Sequence, residues 1–162
     1  MHQNCFINAF FAIMINNHDS EELINLAKQH IKSSQINWYP PKKLHLTVSY
    51  CKHVNINDLQ QVKAKKYLTS FITKIQLTEL SMLNNQMVFL IKNNPSLNLT
   101  KQLLTNDLNN HNISYDNRIF IPHITIAYPN AYIYDINFPV SKIIQIKSIE
   151  IFESKKNNYI KI

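Results

Sequence analysis

Two short stretches of this chain say nearly the same thing, and together they restrict its fold more than any other feature. Leu44-His45-Leu46-Thr47-Val48-Ser49-Tyr50 and Pro122-His123-Ile124-Thr125-Ile126-Ala127-Tyr128 align without a gap and share His, Thr and Tyr. Aliphatic and β-branched residues alternate with polar ones at period two, which predicts a strand for each. Residues i and i+2 of a strand point to one face. His45 and Thr47 therefore share a face, as do His123 and Thr125, while Leu46, Val48, Ile124 and Ile126 turn towards a core. Roughly half the 162-residue chain separates the two copies. That spacing predicts two related α/β halves, each contributing one His-x-Thr strand to a shared groove.

The rest of the chain fits that plan. Ile7 to Asn16 reads as a first strand, with Phe10, Phe11, Ile13 and Ile15 inside. Asp19 to Glu22 has the spacing of a capping box with Asp19 as the cap. The helix it opens carries Leu23, Ala27 and Ile31 on one stripe. Trp38-Tyr39-Pro40-Pro41 stops regular structure and stiffens the approach to the first motif. Asn57 is read as the cap of a second helix running to about Phe71, bearing Lys63, Lys65 and Lys66. Ile75 to Glu79 and Met87 to Ile91 form a hairpin around Asn84-Asn85. A third helix follows Pro95, with Leu97, Leu104 and Leu108 on one side. The second motif strand starts near Ile119, and further strands, notably Ile143 to Phe152, close the chain. The expected class is α+β: residues 1–162 as one domain of two pseudo-symmetric α/β lobes, mainly antiparallel sheets facing a shared groove, helices outside.

Composition narrows the function. The sequence has no glycine, so neither a Walker loop nor a dinucleotide-binding turn can form, since both need Gly where backbone meets phosphate. Any phosphate must be held by side chains. A formal charge of +7 and a pI near 9.4 favour a polyanionic partner. Cys5 and Cys51 offer neither a disulfide framework nor a metal spacing and are read as small buried apolar residues, which suits a cytoplasmic protein. The longest apolar run, Ala9 to Ile15, is too short to cross a bilayer, and no secretory signal is read. No metal-ligand set and no cofactor site is visible, and the expected state is a monomer.

Hydrolysis of a cyclic phosphodiester needs a base for water, an acid for the leaving oxygen and contacts for the phosphoryl oxygens. His45 and His123 suit the first two roles, because imidazole titrates near pH ~6.5. Thr47 and Thr125 can donate to non-bridging oxygens. His123 is assigned as base and His45 as acid, although the near symmetry of the motifs admits the reverse. The remaining histidines, His2, His18, His30, His53 and His111, are read as surface residues. Arg118 is the one arginine of the chain; its bidentate fork suits a phosphate or ribose contact, and a surface salt bridge is the competing reading. Tyr39, Phe120 and Tyr128 are candidate base-stacking surfaces. Trp38 is a fourth, with core packing its competing role.

The motifs with their flanks resemble those of the two-histidine (2H) phosphoesterase superfamily, in its bacterial 2′-5′ RNA ligase-like, RNA 2′,3′-cyclic phosphodiesterase branch. Trp38, Pro40-Pro41 and Leu44 to Thr47 resemble one family segment. Arg118 to Thr125 resembles a second, and Ile151 to Ser154 with Tyr159 the closing one. The resemblance implies opening of an RNA 2′,3′-cyclic phosphate, or of a related cyclic nucleotide, at the 3′ oxygen to leave a 2′-phosphate, without metal. It also implies a weaker 2′-5′ ligase reaction in reverse. Two rivals remain open: a phosphodiesterase for 2′-5′-linked or cyclic oligonucleotide signals, and a non-catalytic RNA-binding module. The chain departs from the family at Tyr128, where an Arg is frequent, and at Cys51-Lys52-His53, where a Leu-Gly-Glu turn is frequent.

Overall fold

The computed structural model describes residues 5–32, 35–63, 72–130, 136–155 and 158–162. Eight strands and three α-helices occur among them in the order β1 (Phe6–Ile15), α1 (Asn17–His30), β2 (Ile36–Trp38), β3 (His45–Asn55), α2 (Ile56–Gln61), β4 (Lys74–Leu83), β5 (Gln86–Ile91), α3 (Pro95–Asn110), β6 (His123–Pro129), β7 (Asn137–Lys155) and β8 (Asn158–Lys161). A 3-10 turn at Pro41–Lys43 precedes β3.

All strand pairings are antiparallel. They build the two expected lobes of an α+β fold. One lobe contains β3, β1, the second part of β7, and β8. The other contains β2, β6, β5, β4 and the first part of β7. β7 serves both because its 19 residues reach about 60 Å at the usual strand rise. Asn137 to Gln145 pairs with β4, and Ile146 to Glu153 pairs with β1. At the opposite edge the lobes meet through one residue pair, Leu46 and Ile124. Strand to strand, the sheet thus returns on itself through β1, β3, β6, β5, β4 and β7.

One continuous apolar cluster fills the interior, drawing on β1, β3 to β7 and all three helices. β1 is buried at Ala9 through Ile13 without alternation, as a central strand covered on both faces must be. The chain makes its turns without glycine. Asn84 and Asn85 take φ of 49° and 60° at the β4–β5 hairpin, the left-handed pair a two-residue turn requires. Asn112, at φ 54°, closes α3. There Ile113 N donates to Leu108 O at 2.9 Å and Asn112 N to Asn109 O at 3.0 Å, the Schellman arrangement.

Several boundaries differ from expectation, each for a local reason. The cap of α1 is Asn16, not Asp19. Asp19 N donates to Asn16 Oδ1 at 2.8 Å, and Asn16 Nδ2 donates back to Asp19 Oδ2 at 3.0 Å. The helix start therefore sits one turn earlier, and Asp19 becomes the third helical residue, its carboxylate tied to the side chain of the cap rather than to the cap's backbone N–H as in a capping box. Asn55, still extended at the end of β3, caps α2 in place of Asn57. That helix ends at Gln61, with Val62 already extended; Lys63 is exposed, and the expected continuation from 64 to 71 lies outside the described residues. The second motif strand begins at His123, because Pro122 has no N–H to add to a ladder. Trp38 ends a short strand on β6 rather than a loop. Cys51 is buried but Cys5 is exposed. No described helix is long and apolar enough to cross a membrane.

Candidate active site

The bridge between Leu46 and Ile124 decides how the two motifs meet. Both side chains are fully buried, and they face each other in an antiparallel register. The flanking residues must then all project from the opposite face. His45 lies across from Thr125, and Thr47 across from His123. The two histidines occupy diagonal positions across that bridge, near enough for His123 to act on the charge of His45. Four side chains from the two halves of the chain therefore converge around a local two-fold axis.

The two imidazoles are held alike. His45 Nδ1 lies 2.7 Å from Lys43 O, and His123 Nδ1 lies 2.7 Å from Ile121 O. A carbonyl only accepts, so Nδ1 carries the hydrogen and Nε2 is the position that exchanges protons. In each case the carbonyl belongs to the second residue upstream, on the irregular segment that delivers the strand. The 3-10 turn opened by Pro41 sets one of these carbonyls, and the residue before Pro122 supplies the other.

The surroundings differ. The His45 ring stacks on Phe10 at 5.1 Å and meets the edge of Tyr159 at 5.5 Å. This enclosure pushes its proton affinity below the ordinary imidazole value; the bond to Lys43 O opposes the shift, and the nearby His123 adds to it. Neutral His45 is thus the packed form. An unfolded chain takes up the proton first as pH falls, so this contribution is whole above about pH 6.5 and declines below it. Thermal melts at about pH 7.5 and about pH 5, on either side of the imidazole titration, are expected to show a smaller acid loss for His45→Gln than for the wild type. Identical losses would mean that the ring is not held neutral by its packing.

No family model matches the chain, and no curated protein matches it closely. Solved structures do. Escherichia coli LigT complexed with 3′-AMP superposes with a TM-score of 0.80 at 16% identity, over 98% of this chain and 96% of that one. A Thermus thermophilus protein, TT0787, gives 0.74 at 14% identity over 96% and 94%. The MHV ns2 PDE domain gives 0.67 at 14% identity over 96% and 99%. This chain has the LigT fold.

Within the LigT fold the remaining candidates fall in different places. A depression of about 550 Å³ is lined by Tyr39, Lys43, Tyr128, Lys155, Tyr159 and Asn8, among others. It adjoins His45 through Tyr159 and Lys43. Tyr39 and Tyr128 therefore lie together, edge to face at 5.3 Å. Phe120 is half-buried against the core, with Lys101 Nζ 5.7 Å from its ring. Trp38 is likewise packed on the core. Arg118 is on an exposed loop, where Asp116 occupies its fork through both Nε and Nη2; that pair holds the Asp116 carboxyl down at about 2. The structure thus gives Arg118 the ion pair that competed with the phosphate contact. Among the described residues no three His, Cys, Asp or Glu side chains gather as a metal set.

Sequence reasoning left three neighbours without a role: Phe10, Tyr159 and Gln86. Tyr159 carried a family likeness but no position. Phe10 is buried, as expected of a core residue, but nothing in the pattern of its strand marks its stacking on His45. Gln86 opens β5, and nothing in its local sequence marks it.

Proposed function

We propose that this protein is a phosphodiesterase that opens 2′,3′-cyclic phosphates at RNA ends, or in related nucleotides, leaving a 2′-phosphate. The supporting observation is the four-residue face formed by His45, Thr47, His123 and Thr125 around the Leu46–Ile124 bridge. Two imidazoles tied through Nδ1 can exchange protons at Nε2 on either side of one phosphorus. One takes a proton from water as its oxygen bonds to phosphorus. The bond from phosphorus to the 3′ oxygen breaks, and the other imidazole gives that oxygen its proton. The two threonine hydroxyls serve the non-bridging oxygens, where charge develops.

The enclosure of His45 suits it to the base, the reverse of the sequence assignment. A bound phosphate anion would raise its proton affinity again and suit it to the acid. Substrates with an activated leaving group read the assignment directly.

The reading also covers metal and salt. Two histidines supply both proton transfers, so the proposed chemistry asks nothing of a metal. Turnover of a short RNA ending in a 2′,3′-cyclic phosphate is expected to persist in excess chelator and to yield a 2′-phosphate. With a formal charge of +7, affinity for that RNA should fall steeply as salt rises. Activity that vanishes in chelator and returns with a divalent ion would remove the metal-independent mechanism. Binding without turnover would favour the RNA-binding alternative.

A further inference from the structure

Thr125 already spends its hydroxyl hydrogen inside the protein. Its Oγ1 donates to Gln86 Oε1 at 3.1 Å, and Gln86 Nε2 donates to the Tyr128 hydroxyl at 3.0 Å. The Tyr39 hydroxyl donates to the same Tyr128 oxygen at 3.1 Å. Burial, with the Tyr128 and Tyr159 hydroxyls beside it, keeps Tyr39 protonated far beyond the usual tyrosine range, so it keeps a hydrogen to donate, with the Tyr159 oxygen at 3.4 Å as a longer contact. The Tyr128 oxygen thus receives two hydrogens, which fills its acceptor capacity. Its own hydrogen is left for the depression that it lines.

A primary amide keeps nearly the same shape when turned over, with oxygen and nitrogen exchanged. After a half turn, Gln86 Nε2 donates to Thr125 Oγ1, and Tyr128 donates to Gln86 Oε1. The Tyr39 bond is unchanged, and the number of hydrogen bonds is the same. Only the free hydrogen moves: it is at Tyr128 in one arrangement and at Thr125 in the other.

We infer that Gln86 is a positioning residue whose amide turns over when an anionic phosphodiester occupies the histidine face, freeing the Thr125 hydrogen for a non-bridging oxygen. Tyr128 gives its own hydrogen to the amide in the same event. This rests on the phosphodiesterase reading above and adds to it which group controls the phosphate donor. Phosphoryl oxygens only accept, so substrate itself selects the turned arrangement. Tyr128 suits the end of such a relay because a hydroxyl both donates and accepts. A guanidinium, frequent at this position in the family that the sequence resembles, has no acceptor for Tyr39 or Gln86.

Two variants of similar size test it. In Q86E the carboxylate accepts only and holds both hydrogens on itself. In Q86M both bonds are gone and the Thr125 hydroxyl is unheld. On a dinucleotide ending in a 2′,3′-cyclic phosphate, Q86M is expected to lose about five-fold in kcat/KM, and Q86E on the order of 10- to 100-fold, as for hydrogen bonds to neutral and charged groups. In a T125V background the two should differ by less than about two-fold, because the contested hydrogen is absent. Equal losses in Q86E and Q86M overturn the inference. So does a Q86E loss that persists undiminished beside T125V, which would be plain charge repulsion. A wild type without turnover sinks the phosphodiesterase reading by itself. Calorimetric titration of the same variants with adenosine 2′-phosphate then carries the same comparison.

Discussion

Replacing His45 or His123 by alanine is expected to lower turnover of a 2′,3′-cyclic phosphate by on the order of 10²–10⁴-fold each, the usual range for a proton-transfer role. Removing both should cost little more than removing one, since an acid and a base acting on one displacement work as a unit. Thr47→Ala and Thr125→Ala should cost less, because each deletes a hydrogen bond from a neutral hydroxyl that water can partly replace. The division of labour is read with a substrate whose 3′ leaving oxygen is replaced by a better leaving group, such as sulfur. Such a substrate needs no acid. With His123 as base and His45 as acid, it should restore His45→Ala and leave His123→Ala inactive. Rescue of His123→Ala instead would exchange the roles, as the enclosure of His45 by Phe10 and Tyr159 favours. If neither single variant loses turnover, the histidine face is not the site.

The second large effect is expected beneath that face. Leu46 and Ile124 are fully buried and form the one residue pair that joins β3 to β6. Leu46→Ala and Ile124→Ala should each destabilise the protein by about 2–5 kcal/mol, as deletions from a packed core do. The pair should be non-additive, since the two residues share one contact. Activity should also fall beyond the loss of folded protein, because the same two backbones carry the histidines and threonines. Ile144→Ala, equally buried but paired with Ile75 on β4, is the control: similar stability cost, little change in kcat of the folded fraction. Urea unfolding and steady-state kinetics on the same samples separate the two effects. A bridge variant that kept wild-type kcat would show that the motif strands hold their places independently of each other.

What the sequence determined by itself is local and periodic. The alternation in the two motifs predicted strands, the shared face of His45 with Thr47 and of His123 with Thr125, and the burial of Leu46, Val48, Ile124 and Ile126, all of which are inside. The leucine stripe of α3 and the Asn84-Asn85 turn were equally legible, because side-chain direction in a helix or strand, and the left-handed turn of Asn, depend on neighbours in the chain. Capping residues were displaced by a turn or less, since several Asn and Asp side chains compete for each helix start and only the end of the preceding strand selects one. Tertiary structure alone decided the rest. It put Leu46 opposite Ile124, and with them His45 near His123, because register between strands distant in sequence is set by how two whole sheets pack. The same packing ran β7 through both lobes, gave Arg118 to Asp116, and brought Phe10 and Tyr159 around one imidazole but not the other. It also linked Gln86 to Thr125 and Tyr128, a contact between strands that no period or spacing along the chain encodes.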